Sequence, residues 1–165
     1  MEKLFLSIVV ILALLALPYF YKLYGLKKIT KQDIPERGDW VELSRGSIYF
    51  EWFMPKESVE VKGTMVLVHG FSTPSFVWGG LIDNFTESGY KVLVYDHFGR
   101  GYSERPRIKY DKGLYLETLR ELITSQKIED AVHLVGYSMG GPIVGYYADT
   151  CISQFKLSSN RRLRH

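Results

Sequence analysis

The sequence predicts an α/β chain: a β-hairpin, then a mostly parallel sheet with crossover helices, the whole preceded by one apolar helix. Three observations predict it. Apolar runs of strand length, "GTMVLVHG", "YKVLVYD" and "AVHLVG", alternate with segments that read as helices, the order that builds a parallel sheet with right-handed crossovers. Ahead of them, "WVEL" and "SIYFEWF" flank the turn signal "SRG", so Trp40 to Phe53 reads as a hairpin. The chain opens on a long uncharged stretch.

That opening stretch, Leu4 to Tyr21, holds 18 residues without a charge, close to the roughly 20 a helix needs to cross a bilayer core. Lys3 and "KLYGLKK" flank it, and Tyr19, Tyr21 and Tyr24 stand where an interfacial aromatic belt would sit. An uncleaved membrane anchor over 1–24 is the expectation; a cleaved secretory signal and a buried core helix are the alternatives. Cleavage is disfavoured because the run exceeds the roughly 7–15 residues of a signal core and no clear A-x-A site follows. Pro18, near its end, is tolerable in a spanning helix. The lysines that follow the span favour a cytoplasmic body, weakly for a single span, so the side of the membrane stays open.

The polar stretch 25–38, containing "ITKQDIPERG", reads as a linker, and 39–150 as the folded domain. Within it, "GTMVLVHG" and "YKVLVYD" are continuous apolar runs suited to a sheet covered on both faces. Trp78 to Ser88 reads as a helix stopped by Gly89. Leu114 to Gln126 reads as another, since Leu116, Leu119 and Ile123 recur at helical spacing and Leu122 widens the same face. "MGGPIVGYYADT" reads as a third helix.

The net charge is +3, and its basic residues gather at the two ends: Lys22, Lys27, Lys28 and Lys31 early, Lys156, Arg161, Arg162 and Arg164 late. The body between is mildly acidic and offers no basic face, which argues against a nucleic-acid partner. Cys151 is alone in the chain, so no intramolecular disulfide can form. No cofactor or metal is expected.

The chemistry is concentrated in three short segments. Gly136-Tyr137-Ser138-Met139-Gly140 fits G-x-S-x-G between a strand and a helix. A sharp strand-to-helix turn strains the serine, and glycines at 136 and 140 remove the Cβ atoms that would collide. Ser138 is therefore the expected nucleophile, with the Met139 N–H at the helix start facing developing negative charge. A glycine-rich turn with a bystander serine is the alternative. In "VLVHGFSTPSFVW", a His-Gly pair closes a strand and opens a loop, where a second oxyanion donor, the Phe71 N–H, is expected; Gly70 permits close approach of the backbone, and His69 is expected to shape the loop rather than act as a base. In "YDHFGRGYS", Asp96 and Arg100 are expected to hold the loop by hydrogen bonds or a charge pair; nothing in the spacing of His97 aims it at Ser138.

Together these segments resemble the α/β-hydrolase family over about Trp40 to Asp149. "HGFSTPSFVW" is similar to its oxyanion loop, "DHFGRGYS" to its D-x-x-G-x-G-x-S segment and "GYSMGG" to its nucleophile elbow, in the family's order. The resemblance implies the first five strands of that fold, with Ser138 after the fifth, and hydrolysis of carboxylic esters or lipid acyl groups. A serine at the elbow argues against the branches with an aspartate nucleophile. Acyl transfer and carbon–carbon bond hydrolysis use the same elbow and stay open, as does a non-catalytic, membrane-anchored binding protein.

The family's triad runs Ser, then Asp or Glu, then His. After Ser138 only Asp149, inside a helix, and His165, the last residue, are available. His133 precedes Ser138 on the strand and is expected to be packed or hydrogen-bonded. The segment 151–165 lacks the apolar run of a sixth strand and reads as an atypical basic tail. The expectation is a chain truncated or shifted out of frame near Asp149, and impaired as an enzyme, since a serine without a base is a weak nucleophile.

Overall fold

The computed structural model describes residues 2–24, 29–128 and 132–162, in two units, Met1–Asp33 and Ile34–His165. In the first, a single helix α1 (Glu2–Tyr24) carries Pro18 within it. Its Glu2–Tyr21 window has a mean hydropathy of 2.5 and none of it is buried. Length and composition make it able to span a membrane, and its apolar residues lie on every side. The unit closes on a tight turn at Lys31–Asp33, where the Asp33 carboxylate accepts from the Thr30 backbone N–H at 2.9 Å and hydroxyl at 2.7 Å.

The second unit is a five-stranded sheet. β1 (Gly38–Leu43) and β2 (Gly46–Phe53) form the expected hairpin, closed by Ser44 and Arg45 with Leu43 opposite Gly46. β1 thus begins at Gly38, inside the stretch read as linker, and Ile34 is already buried. Then come β3 (Gly63–Val68), α2 (Gly79–Glu87), β4 (Tyr90–Tyr95), α3 (Lys112–Ser125), β5 (Val132–Gly136) and α4 (Gly140–Arg162). The order across the sheet is β1-β2-β4-β3-β5. β2 runs antiparallel to β1 and β4, while β3 is parallel to β4 on one side and β5 on the other.

Side chains that alternate along the central strands divide the core in two. Val66 and Val68 of β3, with Leu93 and Tyr95 of β4, face Leu114, Leu119 and Leu122 of α3 and Ile143 of α4. Leu67, Val92 and Val94 face Trp78 and Ile82 beside α2. Covering both faces is why these runs are apolar without a polar alternate, and each fully buried Val or Leu contributes about 1.5–3 kcal/mol relative to exposure. The stripe on α3 is rotated slightly from the expected one: Leu116 and Ile123 are half-buried, and Leu114 and Thr118 are fully buried instead. The Asp111 carboxylate caps this helix by accepting from the Leu114 N–H at 3.1 Å. Gly89, at φ +94°, follows α2 as the stop expected there.

The topology places the site. From β3 the chain moves through α2 to β4 on one side, then through α3 to β5 on the other. The loops after β3 and β5 therefore diverge at the carboxyl ends of neighbouring parallel strands, the switch point where open α/β sheets bind ligands. α4 continues as helix from the elbow through the stretch read as a basic tail, to Arg162. The expectations placed on Ala131 and His165 lie outside the described residues.

Candidate active site

Ser138 sits between β5 and α4 at φ +52°, a conformation shared among described non-glycine residues only by Lys127. A left-handed serine is strained, and the surrounding backbone over-determines it. The Tyr137 N–H extends the ladder to the Val68 carbonyl at 3.0 Å, and the Gly140 and Gly141 N–H groups close onto the Tyr137 and Ser138 carbonyls at 2.8 and 3.0 Å. Both flanking glycines are sterically required. A Cβ at position 140 would lie 2.0 Å from the Val68 carbonyl oxygen, and one at 136 would lie 2.4 Å from the Gly140 oxygen. The chain turns so tightly that α4 starts against the end of β3.

The loop after β3 meets this turn. A Cβ on Gly70 would stand 3.0 Å from the Ser138 Cβ and 3.4 Å from its Oγ. Gly70 and Ser138 are thus brought together, with Phe71 next in the loop. Neither the Phe71 nor the Met139 N–H has a protein acceptor among the described residues. Two free backbone donors flanking a serine hydroxyl can stabilise a negative oxygen that develops there. Phe71 and Tyr137, 61% and 50% exposed, stand in the two segments that meet at Ser138.

His69 fixes the loop through its tautomer. The His97 backbone N–H donates to His69 Nε2 at 2.9 Å, so the imidazole proton resides on Nδ1, 2.6 Å from the Gly70 carbonyl to which it donates. Gly70 C=O and Phe71 N–H belong to one trans peptide and point in opposite directions. Holding the carbonyl therefore aims the N–H. His97 Nε2 returns a bond to the His69 carbonyl at 3.1 Å, which leaves His97 Nδ1 buried without a partner among the described residues. Burial holds the His69 imidazole below its ordinary pKa. For His97, burial and then the neighbouring His69 push it down to about 3. Both rings are neutral near pH 7 and both are committed; among the described residues neither is hydrogen-bonded to Ser138.

Asp96 is 1% exposed, and its two oxygens accept the Ser75 N–H at 2.7 Å and the Tyr102 N–H at 2.9 Å. It ties the loop after β3 to the loop after β4. Gly101, at φ +46°, packs on the Asp96 carboxylate so closely that a Cβ there would overlap it. Arg100 holds by hydrogen bonds: Nε donates to the Phe71 carbonyl and Nη1 to the Gly99 carbonyl at 2.9 Å. His133 is exposed and packs edge-on against Tyr90 at 5.3 Å, beside Gly63, at the opposite end of the strands from Ser138. Asp149 is exposed on α4.

Two features escape a sequence reading. The reciprocal His69–His97 bonds and the Arg100–Phe71 contact join residues 28 and 29 positions apart. The available signal was positional: β3 and β4 are paired neighbours, and each ends one or two residues before a histidine.

Comparison with known proteins agrees with this geometry. The family model described as alpha/beta hydrolase fold matches residues 63–151. A putative non-heme chloroperoxidase of Synechocystis sp. is 35% identical over 83 residues, covering 50% of this chain and 30% of the relative. A probable lysophospholipase L2 of Haemophilus influenzae is 34% identical over 96 residues, covering 53% and 30%. Among solved structures, an esterase from Exiguobacterium antarcticum superposes with a TM-score of 0.58 at 27% identity, over 66% of this chain and 38% of the esterase. A bromoperoxidase from Bacillus anthracis gives 0.58 at 28% identity, over 67% and 38%. The chain spans about a third of the length of these relatives. With the sheet order, the elbow and the family match over more than half of its residues, the chain belongs to the α/β-hydrolase fold family.

Proposed function

We propose that Ser138 is the nucleophile of a serine-hydrolase site for carboxylic esters or lipid acyl groups. The observation that carries this reading is Ser138 at φ +52° on a glycine-locked strand-to-helix turn, with Gly70 against its side chain. Ser138 Oγ attacks the substrate carbonyl carbon, and its proton passes to a base. The tetrahedral oxyanion is held by the Phe71 and Met139 N–H groups. Collapse expels the alcohol and leaves an acyl-serine, which water then hydrolyses. The ester class is supported by the names of the esterase and lysophospholipase relatives and by the exposed aromatic side chains of Phe71 and Tyr137 beside Ser138. α1 serves as a membrane anchor that keeps such a site near lipid substrates.

Among the described residues no histidine is hydrogen-bonded to the Ser138 hydroxyl, and a serine without a positioned base is a weak nucleophile. The same observation favours a second reading, a membrane-bound protein that binds an acyl ligand without hydrolysing it. Hydrolysis of p-nitrophenyl esters of increasing acyl length by the detergent-solubilised chain, with and without added imidazole as a diffusible base, separates the two. The hydrolase reading expects slow release that imidazole raises and that Ser138→Ala abolishes. Release equal to that of Ser138→Ala under all conditions counts against it.

A further inference from the structure

The tip of the loop after β3, at Phe71 and Ser72, makes little apolar contact. Phe71 and Ser72 are exposed, and the Phe71 ring is outside both hydrophobic clusters among the described residues. An N–H on such a loop is useful to catalysis only if its direction is fixed before the substrate arrives. His69 fixes the peptide on the N-terminal side of Phe71 through the Gly70 carbonyl. The peptide on its C-terminal side is fixed from a different element. Arg100 Nε donates to the Phe71 carbonyl, and the guanidinium carbon lies 4.3 Å from the centroid of the Phe71 ring.

We propose that Arg100 is a positioning residue for the Phe71 N–H, clamping the oxyanion loop onto the loop after β4; this rests on Phe71 being an oxyanion donor. The clamp has a rigid base. Arg100 Nη1 donates to the Gly99 carbonyl at 2.9 Å, the Gly99 N–H donates to the Glu104 carbonyl at 2.8 Å, and the Arg100 N–H donates to the His97 carbonyl at 3.0 Å. Asp96 anchors the same loop at Tyr102. With both peptides beside Phe71 held, the residue has no free backbone rotation with which to turn its N–H away from Ser138. Arginine is the residue type required. Its planar fork reaches two carbonyls and stacks on a ring at once, which a lysine ammonium does not reproduce.

The test compares Arg100→Gln with the parent chain in detergent micelles by two readouts. One is the rate of fluorophosphonate labelling of Ser138; the other is the backbone order parameter of the Phe71 amide from ¹⁵N relaxation. The clamp predicts labelling slowed roughly 10- to 100-fold and an order parameter dropping from about 0.85 toward 0.6, with the thermal midpoint nearly unchanged. Labelling at the parent rate overturns the clamp while leaving Ser138 a nucleophile, and so does slowed labelling with an unchanged order parameter. If the parent itself takes up no phosphonate, the hydrolase reading fails, and the order parameter alone decides: a drop upholds the clamp, no change overturns it. Should Arg100→Gln not fold, Arg100→Lys, which keeps the charge, takes its place with the same expected losses.

Discussion

The backbone of Gly70 passes so close to Ser138 that a Cβ at position 70 would sit 3.0 Å from the serine Cβ and 3.4 Å from its Oγ. No backbone atom is among those closest contacts, and Ser138 is exposed. The Ser138 Cβ is nevertheless fixed by the locked elbow backbone, so Gly70→Ala is expected to push the loop after β3 a few tenths of an ångström away from the serine, at modest cost to the fold. Labelling of Ser138 should slow about tenfold or more, while the unfolding free energy from urea titration changes by about 1 kcal/mol or less.

Position 140 should behave in the opposite way. The contact there is the Val68 carbonyl at 2.0 Å, backbone that cannot move without disturbing β3. Gly140→Ala is expected to destabilise by about 1–3 kcal/mol or more, as overpacking against a rigid neighbour does. Gly145, in the same helix, has nothing within 4 Å of its would-be Cβ. Gly145→Ala should be neutral or stabilise by up to about 1 kcal/mol. Urea unfolding of the two variants gives the comparison, and equal effects would contradict the steric account of the elbow.

Acid should lower the stability of the fold as pH falls below about 6.5. His69 and His97 have lower pKa values folded than unfolded, His97 at about 3 against an ordinary value near 6.5. A depressed histidine means the native state binds fewer protons than the unfolded state, so stability is full above pH 6.5 and falls as pH drops toward 3. Among nearby charges Asp96 opposes the depression of His69 and Arg100 adds to it. The expected slope between pH 6 and 5 is on the order of 1 kcal/mol per pH unit. His97→Gln, less stable at pH 7, should flatten that slope; an unchanged slope would show that the acid response comes from elsewhere.

The fold and the elbow were legible in sequence because both are written in local patterns. Val66 to Val68 and Val92 to Val94 announce strands covered on both sides. Gly136 and Gly140 announce a turn that admits no Cβ, and the clashes at those positions are the ones that spacing implies. The wiring beneath the site was not legible. Asp96 reaching Ser75, His97 reaching His69 and Arg100 reaching Phe71 depend on the register of β3 against β4. Composition carries no trace of that register. The start of β1 at Gly38 was hidden for a related reason: one face of Gly38 packs against the Tyr49 ring across the hairpin, a contact only pairing creates.

The anchor proposed for α1 has its own check. A helix with a mean hydropathy of 2.5 over 20 residues should keep the chain with membranes through an alkaline carbonate wash. Release of the intact chain into the supernatant would remove the anchor from the account.

Whether Ser138 is a nucleophile is decided by fluorophosphonate labelling of the detergent-solubilised chain, read by peptide mass spectrometry. A nucleophilic Ser138 gives a single phosphonyl adduct on its own peptide, formed slowly, accelerated by imidazole and absent in Ser138→Ala. A folded chain that takes up no adduct at Ser138 with imidazole present, or that is labelled equally on its other exposed serines, would contradict it.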